Sequence, residues 1–339
     1  MNIEKVVIEL YKEKNDIEIA KILGISERSV QRLVAKLRLS GKLPYRKDLV
    51  VKQDLGINPT DLTDEAYNDI LTKSRIAWQV PKSNVELEKK EFKSYLVIAD
   101  THVPSQNIPA VRSVLSLCND IKFDGFIIDG DFMDLNCISH WTKNKRKTLE
   151  MKRLKSDYIQ GNILLDEFDV RLPKLCDKRF IYGNHERFMD DLIEERPELE
   201  GLFEPKECLK LEERGYKVFT EQNHAEKVGR LHITHGVWSG TSPVRAALAA
   251  YKTNVLFGHV HTEEERLESA APKELAIIGA SMGALSDLNP AYMQNKTHRW
   301  SHGFAIVHVF PNGFFHLELI RIVNAKFIYN MTIYDGARK

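Results

Sequence analysis

Hydrophobic residues recur with helical spacing three times within the first forty positions of the chain. The three sets are Ile3, Val6, Val7, Leu10, then Ile17, Ala20, Ile22, Leu23, and then Val30, Leu33, Val34, Leu37. Apolar side chains three and four positions apart line one face of an amphipathic helix. The pattern predicts three short helices, with Gly24 in a tight turn and Ser26 available to cap the third helix.

From Tyr95 onward the pattern changes to short apolar runs, and each run ends in a cluster of glycine, histidine or acidic residues. The runs are Leu96–Ala99, Gly125–Ile128, Phe180–Tyr182, Leu231–Thr234 and Val255–Phe257. Such runs predict buried strands, and open α/β sheets place ligands at the carboxyl ends of their strands. Amphipathic stretches around residues 148–170 and 243–251 predict covering helices, and residues 304–320 predict an antiparallel hairpin with an Asn-Gly turn.

These elements together predict an α/β fold in which a two-sheet β-sandwich is flanked by helices, with a small all-α domain before it. A chain of 339 residues has room for both. We predict a helix-turn-helix domain over residues 1–48, a linker over residues 49–92 with one helix near 62–76, and a larger domain over residues 93–339. Pro59, Pro81 and the charged run 86–91 mark the linker.

Composition narrows the class of protein without identifying a partner. Hydrophobic residues make up 43% and charged residues 29% of the chain, which is typical of a soluble globular protein. The four cysteines, at positions 118, 137, 176 and 208, are far apart and fit reduced thiols better than disulfides. The sequence shows no signal peptide and no apolar run of about 20 residues, so we expect a cytoplasmic protein that does not enter a membrane.

Five clusters of histidine, aspartate and asparagine follow the predicted strands in a fixed order. They contain Asp100, His102, Asp131, Asn184, His185, His235, His259 and His261. All of these donor atoms are nitrogen or oxygen, which suits divalent ions such as Mn²⁺, Fe²⁺ or Zn²⁺ better than a thiolate-preferring metal. The spacing predicts a pocket for two metal ions and therefore a metal-dependent hydrolase.

This ordered set of motifs resembles that of the calcineurin-like metallophosphoesterases, over roughly residues 95–322. The implied ligands of the first ion are Asp100, His102 and His261, and those of the second ion are Asn184, His235 and His259. The resemblance also implies that Asp131 bridges the two ions and that His185 is the general acid. Manganese is the expected metal, with iron, zinc, nickel and magnesium as alternatives.

The chemistry that the resemblance implies is hydrolysis of a phosphoester by two metal ions. Two cations about 4 Å apart can share a hydroxide that attacks phosphorus in line, and they neutralise the charge that develops there. His185 would protonate the leaving oxygen, a role that typically contributes ~10²–10⁴-fold in rate. Three further residues are expected to support the site or to contact phosphate, namely Asp134, Glu186 and Arg187. The remaining histidines, among them His298, are interpreted as ordinary surface or core residues.

The N-terminal stretch resembles the helix-turn-helix of DNA-binding proteins over about residues 16–37, with Gly24 in the turn. The predicted exposed face of its last helix carries side chains suited to phosphates and base edges: Arg28, Ser29, Gln31, Arg32, Lys36 and Arg38. DNA is the predicted partner, and a protein-interaction module is the alternative. Such modules often dimerise, but no heptad seam in this chain requires a homodimer.

A basic segment with an aromatic residue follows the second metal-ligand motif. Its candidates for nucleic-acid binding are Trp141, Lys143, Lys145, Arg146 and Lys147, and the segment extends to residue 155. Such a segment can follow a phosphate backbone and stack a base, and a solvated helix face is the alternative. The segment and the N-terminal module together favour a DNA-directed phosphodiesterase, that is, a nuclease.

Two departures from related subfamilies leave other substrates open. Protein phosphatases of the superfamily usually place Arg-Gly after the aspartate at position 134, where this chain has Leu135 and Asn136. Repair nucleases typically place aspartate where this chain has Glu186. A phosphomonoesterase or a cyclic-nucleotide phosphodiesterase is therefore the enzymatic alternative. The non-enzymatic alternative is a DNA-binding regulator in which the phosphoesterase domain serves as a scaffold.

Overall fold

The computed structural model describes residues 3–11, 14–39, 91–139, 153–269, 275–290, 293 and 296–338. The chain divides into two compact units, Met1–Val85 and Glu86–Lys339. The predicted linker helix and the candidates Trp141, Lys143, Lys145, Arg146 and Lys147 lie outside the described residues, as does the side chain of Arg38. No helix in the described ranges is long and apolar enough to cross a membrane.

Three helices form in the first unit where the hydrophobic pattern predicts them: α1 (Ile3–Leu10), α2 (Asp16–Leu23) and α3 (Glu27–Leu39). Their buried side chains, which include Val7, Ile19 and Val34, form one small core. Gly24 ends α2 with a φ of 62°, a left-handed conformation that glycine adopts without strain. The helices are therefore confirmed, whereas their assignment as a DNA-binding helix-turn-helix stays a prediction.

The second unit alternates strands with helices and then ends in strands alone. Its strands are β1 (Lys93–Ile98), β2 (Gly125–Asp129), β3 (Asp177–Ile181), β4 (Tyr216–Phe219), β5 (Glu226–Val228), β6 (Leu231–Thr234), β7 (Asn254–Phe257), β8 (Glu264–Glu268), β9 (Ile277–Ser281), β10 (His302–Val309), β11 (Phe315–Ile322), β12 (Lys326–Tyr329) and β13 (Thr332–Asp335). Its helices are α4 (Ile108–Asp120), α5 (Leu154–Asp169), α6 (Phe188–Glu195), α7 (Pro205–Cys208) and α8 (Pro243–Tyr251), with a 3₁₀ helix at Pro197–Leu199.

The strands form two sheets and a separate ribbon. The first sheet has the order β11-β10-β1-β2-β3-β4, the second has the order β5-β6-β7-β9-β8, and β12 pairs with β13. Within the first sheet β1, β2 and β3 are parallel, and within the second sheet β6 and β7 are parallel. All five predicted strands that precede a metal-ligand motif are thus present, and their carboxyl ends are available for the site.

Alternating side chains of β1 show how the layers pack. Leu96 and Ile98 belong to the core that β1 shares with helices α4 and α5. Val97 and Ala99 point the other way, into a core shared with residues of β6 and β7 such as Ile233. On the far side of the second sheet, α8 packs against Phe257. The predicted mixed α/β architecture, with two sheets flanked by helices, is therefore confirmed for this unit.

The predicted hairpin near the C-terminus is present. Strands β10 and β11 pair antiparallel from His302↔Ile322 to Val309↔Phe315. Phe310 N donates to the carbonyl of Phe314 and Gly313 N donates to the carbonyl of Phe310, each at 2.8 Å. Gly313 has a φ of 83°. Pro311, Asn312 and Gly313 thus form a three-residue loop that contains the predicted Asn-Gly pair and ends in a left-handed glycine.

Candidate metal centre

The structure brings all of the predicted metal-ligand motifs to one edge of the sandwich. Each ligand follows the carboxyl end of a strand: Asp100 and His102 follow β1, Asp131 follows β2, Asn184 follows β3, His235 follows β6, and His259 and His261 follow β7. Histidine and carboxylate atoms from these loops form three groups that are close enough to hold a cation, and two of these groups share His102. The ligand roles are predictions that this placement supports.

The first group contains Asp100, His102 and His261, all of them buried. His261 Nε2 lies 3.1 Å from Asp100 Oδ1 and 3.2 Å from His102 Nε2. Asp100 Oδ1 has no hydrogen-bond partner among the described residues. A buried carboxylate oxygen without a partner, facing two imidazole nitrogens, is a donor set that a divalent cation satisfies.

The second group contains Asp131, His235 and His259. His235 Nδ1 donates to the carbonyl of Asp129 at 2.7 Å, which leaves Nε2 with its lone pair. That nitrogen lies 3.2 Å from Asp131 Oδ2 but is not aligned for a hydrogen bond, and it is buried without another partner in the described ranges. His259 Nδ1 lies 2.8 Å from Asn184 Oδ1. These nitrogen and oxygen donors also fit a divalent cation.

Asp131 lies between the two groups, as a bridging ligand must. Its Oδ2 is 3.2 Å from His235 Nε2 in the second group and 3.9 Å from His102 Nε2 in the first. Burial alone would raise the pKa of Asp131, but the neighbouring histidines His235, His185 and His102 together outweigh burial and hold this pKa well below its usual range. Asp131 is therefore ionised, as a carboxylate that binds two cations has to be.

His185 faces Asp131 without belonging to either predicted ligand set. Its Nδ1 lies 2.7 Å from the carbonyl oxygen of Asp134, which places the proton on Nδ1 when the ring is neutral. Its Nε2 lies 3.9 Å from Asp131 Oδ2. Burial lowers the pKa of His185, but the Asp131 carboxylate, the hydrogen bond to the Asp134 carbonyl and the charges of Asp134 and Glu186 together raise it by more, so the pKa is above its usual value. When the ring is charged, its Nε2 proton faces Asp131.

The backbone of several predicted ligands adopts a left-handed conformation that residues other than glycine rarely adopt. Five predicted ligands have left-handed φ values between 48° and 68°: Asp100, His102, Asp131, His259 and His261. Each such residue costs roughly 1–3 kcal/mol and persists only where the surroundings hold it. Close packing does hold it here, since a Cβ added to Gly183 would lie 2.1 Å from Asp131 Oδ1. Five of the 13 non-glycine residues with left-handed φ in the described ranges are thus predicted metal ligands.

Glu186 connects two of the ligand loops. Its carboxylate accepts hydrogen bonds from the backbone N–H groups of Asp131, Met133 and Gly183, each at 2.9 Å. The side chain is completely buried, and burial raises its pKa to about 7 although the three N–H donors favour the charged form. With both oxygens engaged by backbone N–H groups, Glu186 holds the Asp131 loop against Gly183.

Asp134 contacts a predicted metal ligand, whereas the guanidinium of Arg187 contacts the backbone of a neighbouring loop. Asp134 accepts a hydrogen bond from Ser105 Oγ at 2.7 Å and lies 3.6 Å from His102 Nδ1, so it orients that histidine. The guanidinium of Arg187 donates to the carbonyls of Thr220 and Glu221 at 2.7 and 2.6 Å. Arg187 also lines a cavity of about 50 Å³ that Asn184 and His235 share. Its guanidinium therefore braces a loop beside the site.

The predicted nucleic-acid contacts of the first unit lie on the exposed side of α3. The side chains in question are Arg28, Ser29, Gln31, Arg32 and Lys36, all exposed, whereas Val30, Val34 and Leu37 are buried. Three of the exposed side chains have intramolecular partners: Ser29 contacts Ser26, Gln31 contacts Glu27, and Lys36 contacts Glu4. The segregation of basic and apolar residues on α3 agrees with the prediction but does not test DNA binding.

Similarity to known proteins decides the family. A model of the calcineurin-like phosphoesterases matches residues 93–263, which is half of the chain. The chain belongs to the calcineurin-like phosphoesterase family. Membership supports the predicted class of enzyme, a metal-dependent phosphoester hydrolase, and the buried His and Asp groups supply candidate ligands for it. Neither the substrate nor the metal follows from membership.

Relatives of this phosphoesterase include two phage proteins. The Gene 54 protein of Mycobacterium phage L5 is 23% identical over 277 residues, which cover 72% of this chain and 99% of the phage protein. The Gene 54 protein of Mycobacterium phage D29 is 25% identical over 260 residues, which cover 69% of this chain and 96% of its own length. Neither name states a function.

Solved structures with a similar chain path include two Vps29 proteins. Vps29 of Entamoeba histolytica, complexed with zinc, is 14% identical, with 72% of this chain and 99% of that chain covered and a TM-score of 0.36. Vps29 of Cryptosporidium parvum is also 14% identical, with 73% and 96% covered and a TM-score of 0.36. Similarity at this level adds nothing to the family assignment.

One aromatic residue of this phosphoesterase lies at the metal centre outside every motif. The ring of Trp300 is 4.6 Å from the ring of His261, measured between centroids, and 5.0 Å from that of His298. The sequence analysis did not single out Trp300, and it interpreted His298 as an ordinary surface or core residue. The available signal was a tryptophan next to Lys296 and Arg299, the same combination of aromatic and basic residues that drew attention to residues 141–147.

Proposed function

We propose that this phosphoesterase is a binuclear metal-dependent phosphodiesterase that cleaves DNA. The observation that carries the proposal is the pair of buried donor groups that meet at Asp131, with His185 facing the same carboxylate. Cleavage of a phosphodiester requires a nucleophile at phosphorus and a proton for the leaving oxygen. Ions held by the donor groups would supply the nucleophile, and His185 would supply the proton. DNA is the proposed substrate because the first unit exposes a basic helix face.

The residues present would hold two ions at defined places. The proposed ligands of one ion are Asp100, His102 and His261, those of the other are Asn184, His235 and His259, and Asp131 belongs to both. When bound, divalent ions supply an activated water as nucleophile and positive charge against the phosphoryl oxygens. Manganese is proposed first, because the donor set combines imidazole with carboxylate and amide oxygen.

The protein side chains then perform the proton transfer and the positioning. His185 holds a proton on Nε2 and donates it to the leaving oxygen, while its Nδ1 bond to the Asp134 carbonyl fixes the ring. Glu186 keeps Asp131 in place through the backbone. The Asp129 carbonyl orients His235 so that Nε2 faces the site.

The first unit is proposed to bring the catalytic unit to duplex DNA. Helix α3 buries Val30 and Val34 and exposes Arg28 and Arg32 on another face. A helix with this division can lie against DNA while its apolar face stays in the core. Replacing Arg28 and Arg32 by alanine should weaken DNA binding and reduce its salt dependence, since each phosphate contact contributes a slope of about one.

The test is Mn²⁺-dependent cleavage of end-labelled single- and double-stranded DNA. We expect cleavage by the wild type and its loss in Asp131→Asn and His185→Ala. His316→Ala is the matched histidine control, because this side chain is 66% exposed on β11. Hydrolysis of a simple aryl phosphate diester without DNA cleavage would reject the DNA substrate and favour small nucleotides or phosphomonoesters. DNA binding without any hydrolysis would favour a regulator that uses the domain as a scaffold.

A further inference from the structure

A short aromatic wall leads from the metal centre to the protein surface. It consists of the rings of His261, Trp300 and His298, with neighbouring centroids 4.6 and 5.0 Å apart. His261 is 7% exposed, whereas Trp300 and His298 are both partly exposed. The rings are tilted to one another, by 52° between His261 and Trp300 and by 43° between Trp300 and His298, so the flat surface on offer is that of the indole itself, beside a proposed metal ligand.

Backbone hydrogen bonds fix this wall to the metal-ligand loop. Ser301 N donates to the carbonyl of His261 at 2.8 Å, and Glu263 N lies 3.3 Å from Ser301 Oγ. Trp300 N donates to His298 Nδ1 at 3.2 Å. Since the neighbouring Ser301 is hydrogen-bonded to the backbone of His261 and the Trp300 ring contacts the His261 ring, the indole has a fixed place relative to the site. A fixed aromatic surface binds a planar group with little loss of conformational entropy.

Cationic side chains flank the wall. Lys296 and Arg299 are exposed on the same short segment as Trp300. One guanidinium nitrogen of Arg299 lies 3.4 Å from the carbonyl of Thr241, in the loop that follows β6 and His235. Aromatic side chains alternating with cations are how proteins hold single-stranded nucleic acid, with bases stacked on the rings and phosphates near the charges.

We propose that Trp300 is the stacking surface for a nucleobase next to the scissile phosphoester, with Arg299 and Lys296 beside the flanking phosphates. The inference rests on the proposed phosphodiesterase function and specifies its substrate class as nucleotidyl esters. The competing interpretation is structural: Trp300 packs against His261 and serves only to keep that ligand in place. The two interpretations differ in whether Trp300 distinguishes one ester from another.

The experiment compares two diesters with the same leaving group. We would measure kcat/KM for the p-nitrophenyl ester of thymidine 5′-phosphate and for methyl p-nitrophenyl phosphate, in the presence of Mn²⁺. Trp300→Leu should lower the ratio of the two values by about 5- to 100-fold, because base stacking on an aromatic side chain has about this effect. Trp300→Phe should retain most of the ratio. Phe310→Leu, a 44% exposed aromatic residue in the β10–β11 hairpin, is the matched control.

The outcomes separate the two hypotheses. If Trp300→Leu lowers both kcat/KM values equally and leaves their ratio unchanged, Trp300 is structural and the inference is overturned while the phosphodiesterase stands. If the wild type hydrolyses neither ester, the proposed function itself fails. A second measurement needs no variant: thymidine 5′-phosphate should inhibit the wild type at least about 5-fold more strongly than methyl phosphate. Equal inhibition would also overturn the inference.

Discussion

The metal-ligand loops and the turns of this protein use the same left-handed backbone with opposite choices of residue. In the turns at Gly24 and Gly313 the conformation falls on glycine, with φ of 62° and 83°, although other turns place it on residues such as Lys252 and Asn324. In the ligand loops it falls on functional side chains, as at Asp100, Asp131 and His261, with φ of 51°, 48° and 55°. Glycine meets this backbone without strain, whereas aspartate and histidine are held in it by their surroundings.

Two glycines of the ligand loops, Gly183 and Gly258, have no left-handed φ and provide space instead. A Cβ on Gly183 would lie 2.1 Å from Asp131 Oδ1, and one on Gly258 would lie 2.7 Å from Asp100 Oδ2. A Cβ on Gly24 would have no described atom within 4 Å. The comparison teaches that turns select residues for conformation, while the ligand loops select for donor atoms and let close packing impose the conformation.

The largest effect should come from filling the space beside Asp131. Gly183→Ala places a methyl group against Asp131 Oδ1, so the carboxylate must move. A displacement of about 1 Å at a reacting centre costs about 10²-fold in rate, and here a proposed ligand of both ions moves. We expect kcat/KM on an aryl phosphate diester to fall by at least about 10²-fold. Gly201→Ala is the control, with φ of 81° and no described atom within 4 Å, and full activity in Gly183→Ala would contradict the comparison.

Removing the carboxylate that holds two ligand loops should have the next largest effect. Glu186→Ala leaves three buried N–H groups without their acceptor. We expect Mn²⁺ affinity, measured by calorimetric titration, to fall about 10- to 100-fold, which is typical when a partner of metal ligands is lost. The Mn²⁺ affinity of Glu186→Gln should lie between those of the wild type and Glu186→Ala, because an amide offers one acceptor oxygen instead of two. Unchanged affinity in Glu186→Ala would mean that packing alone holds the loops.

Metal removal tests whether ions bound at the ligand loops stabilise the folded protein. Ions that bind only the folded state should stabilise it by about 2.7 kcal/mol at a concentration 100 times their Kd. We therefore expect thermal scans of chelator-treated protein to show a higher unfolding temperature after Mn²⁺ is restored. The same addition should leave Asp131→Asn nearly unchanged. An equal rise in that variant would place the stabilising ions elsewhere on the protein.

The smallest effect should come from the turn side of the comparison. Gly24→Ala meets no steric obstacle, so its cost is that of the left-handed backbone alone, about 1–2 kcal/mol. Hydrogen exchange of peptides from α2 and α3 should report faster opening, while exchange in the β-sandwich stays unchanged. Gly24→Asn should cost less, since asparagine tolerates this conformation better. A loss of phosphoesterase activity in Gly24→Ala on a small ester would contradict the separation of roles.

The sequence predicted the positions of the ligand-bearing strands because each is a short apolar run followed by polar residues. Strand β8, Glu264–Glu268, escaped prediction because it is an edge strand whose side chains are mostly exposed, so no apolar run marks it. The hairpin was predicted from the pattern on both sides of the turn, but the length of its loop depends on the left-handed φ of Gly313, which hydrophobic pattern does not encode.

The candidate ligands could be predicted because their residue types and order form motifs, whereas their supporting contacts could not. The hydrogen bond from Asp131 N to Glu186 joins residues 55 positions apart, and it depends on how two loops meet. The contact between Trp300 and His261 has the same origin. Pattern along the chain identifies chemistry near strand ends, but contacts between loops exist only after the sheets have packed.

The hydrogen bonds of Glu186 bear on whether the metal-ligand loops keep their arrangement without bound ions. The backbone of the Asp131 loop and that of Gly183 are joined through a fully buried side chain, and no ion takes part in that bond. The pocket is thus shaped by the polypeptide itself, in contrast to small metallo-domains that unfold when their ion leaves. We therefore expect the protein to stay folded when its ions are removed and to bind them again when they are restored.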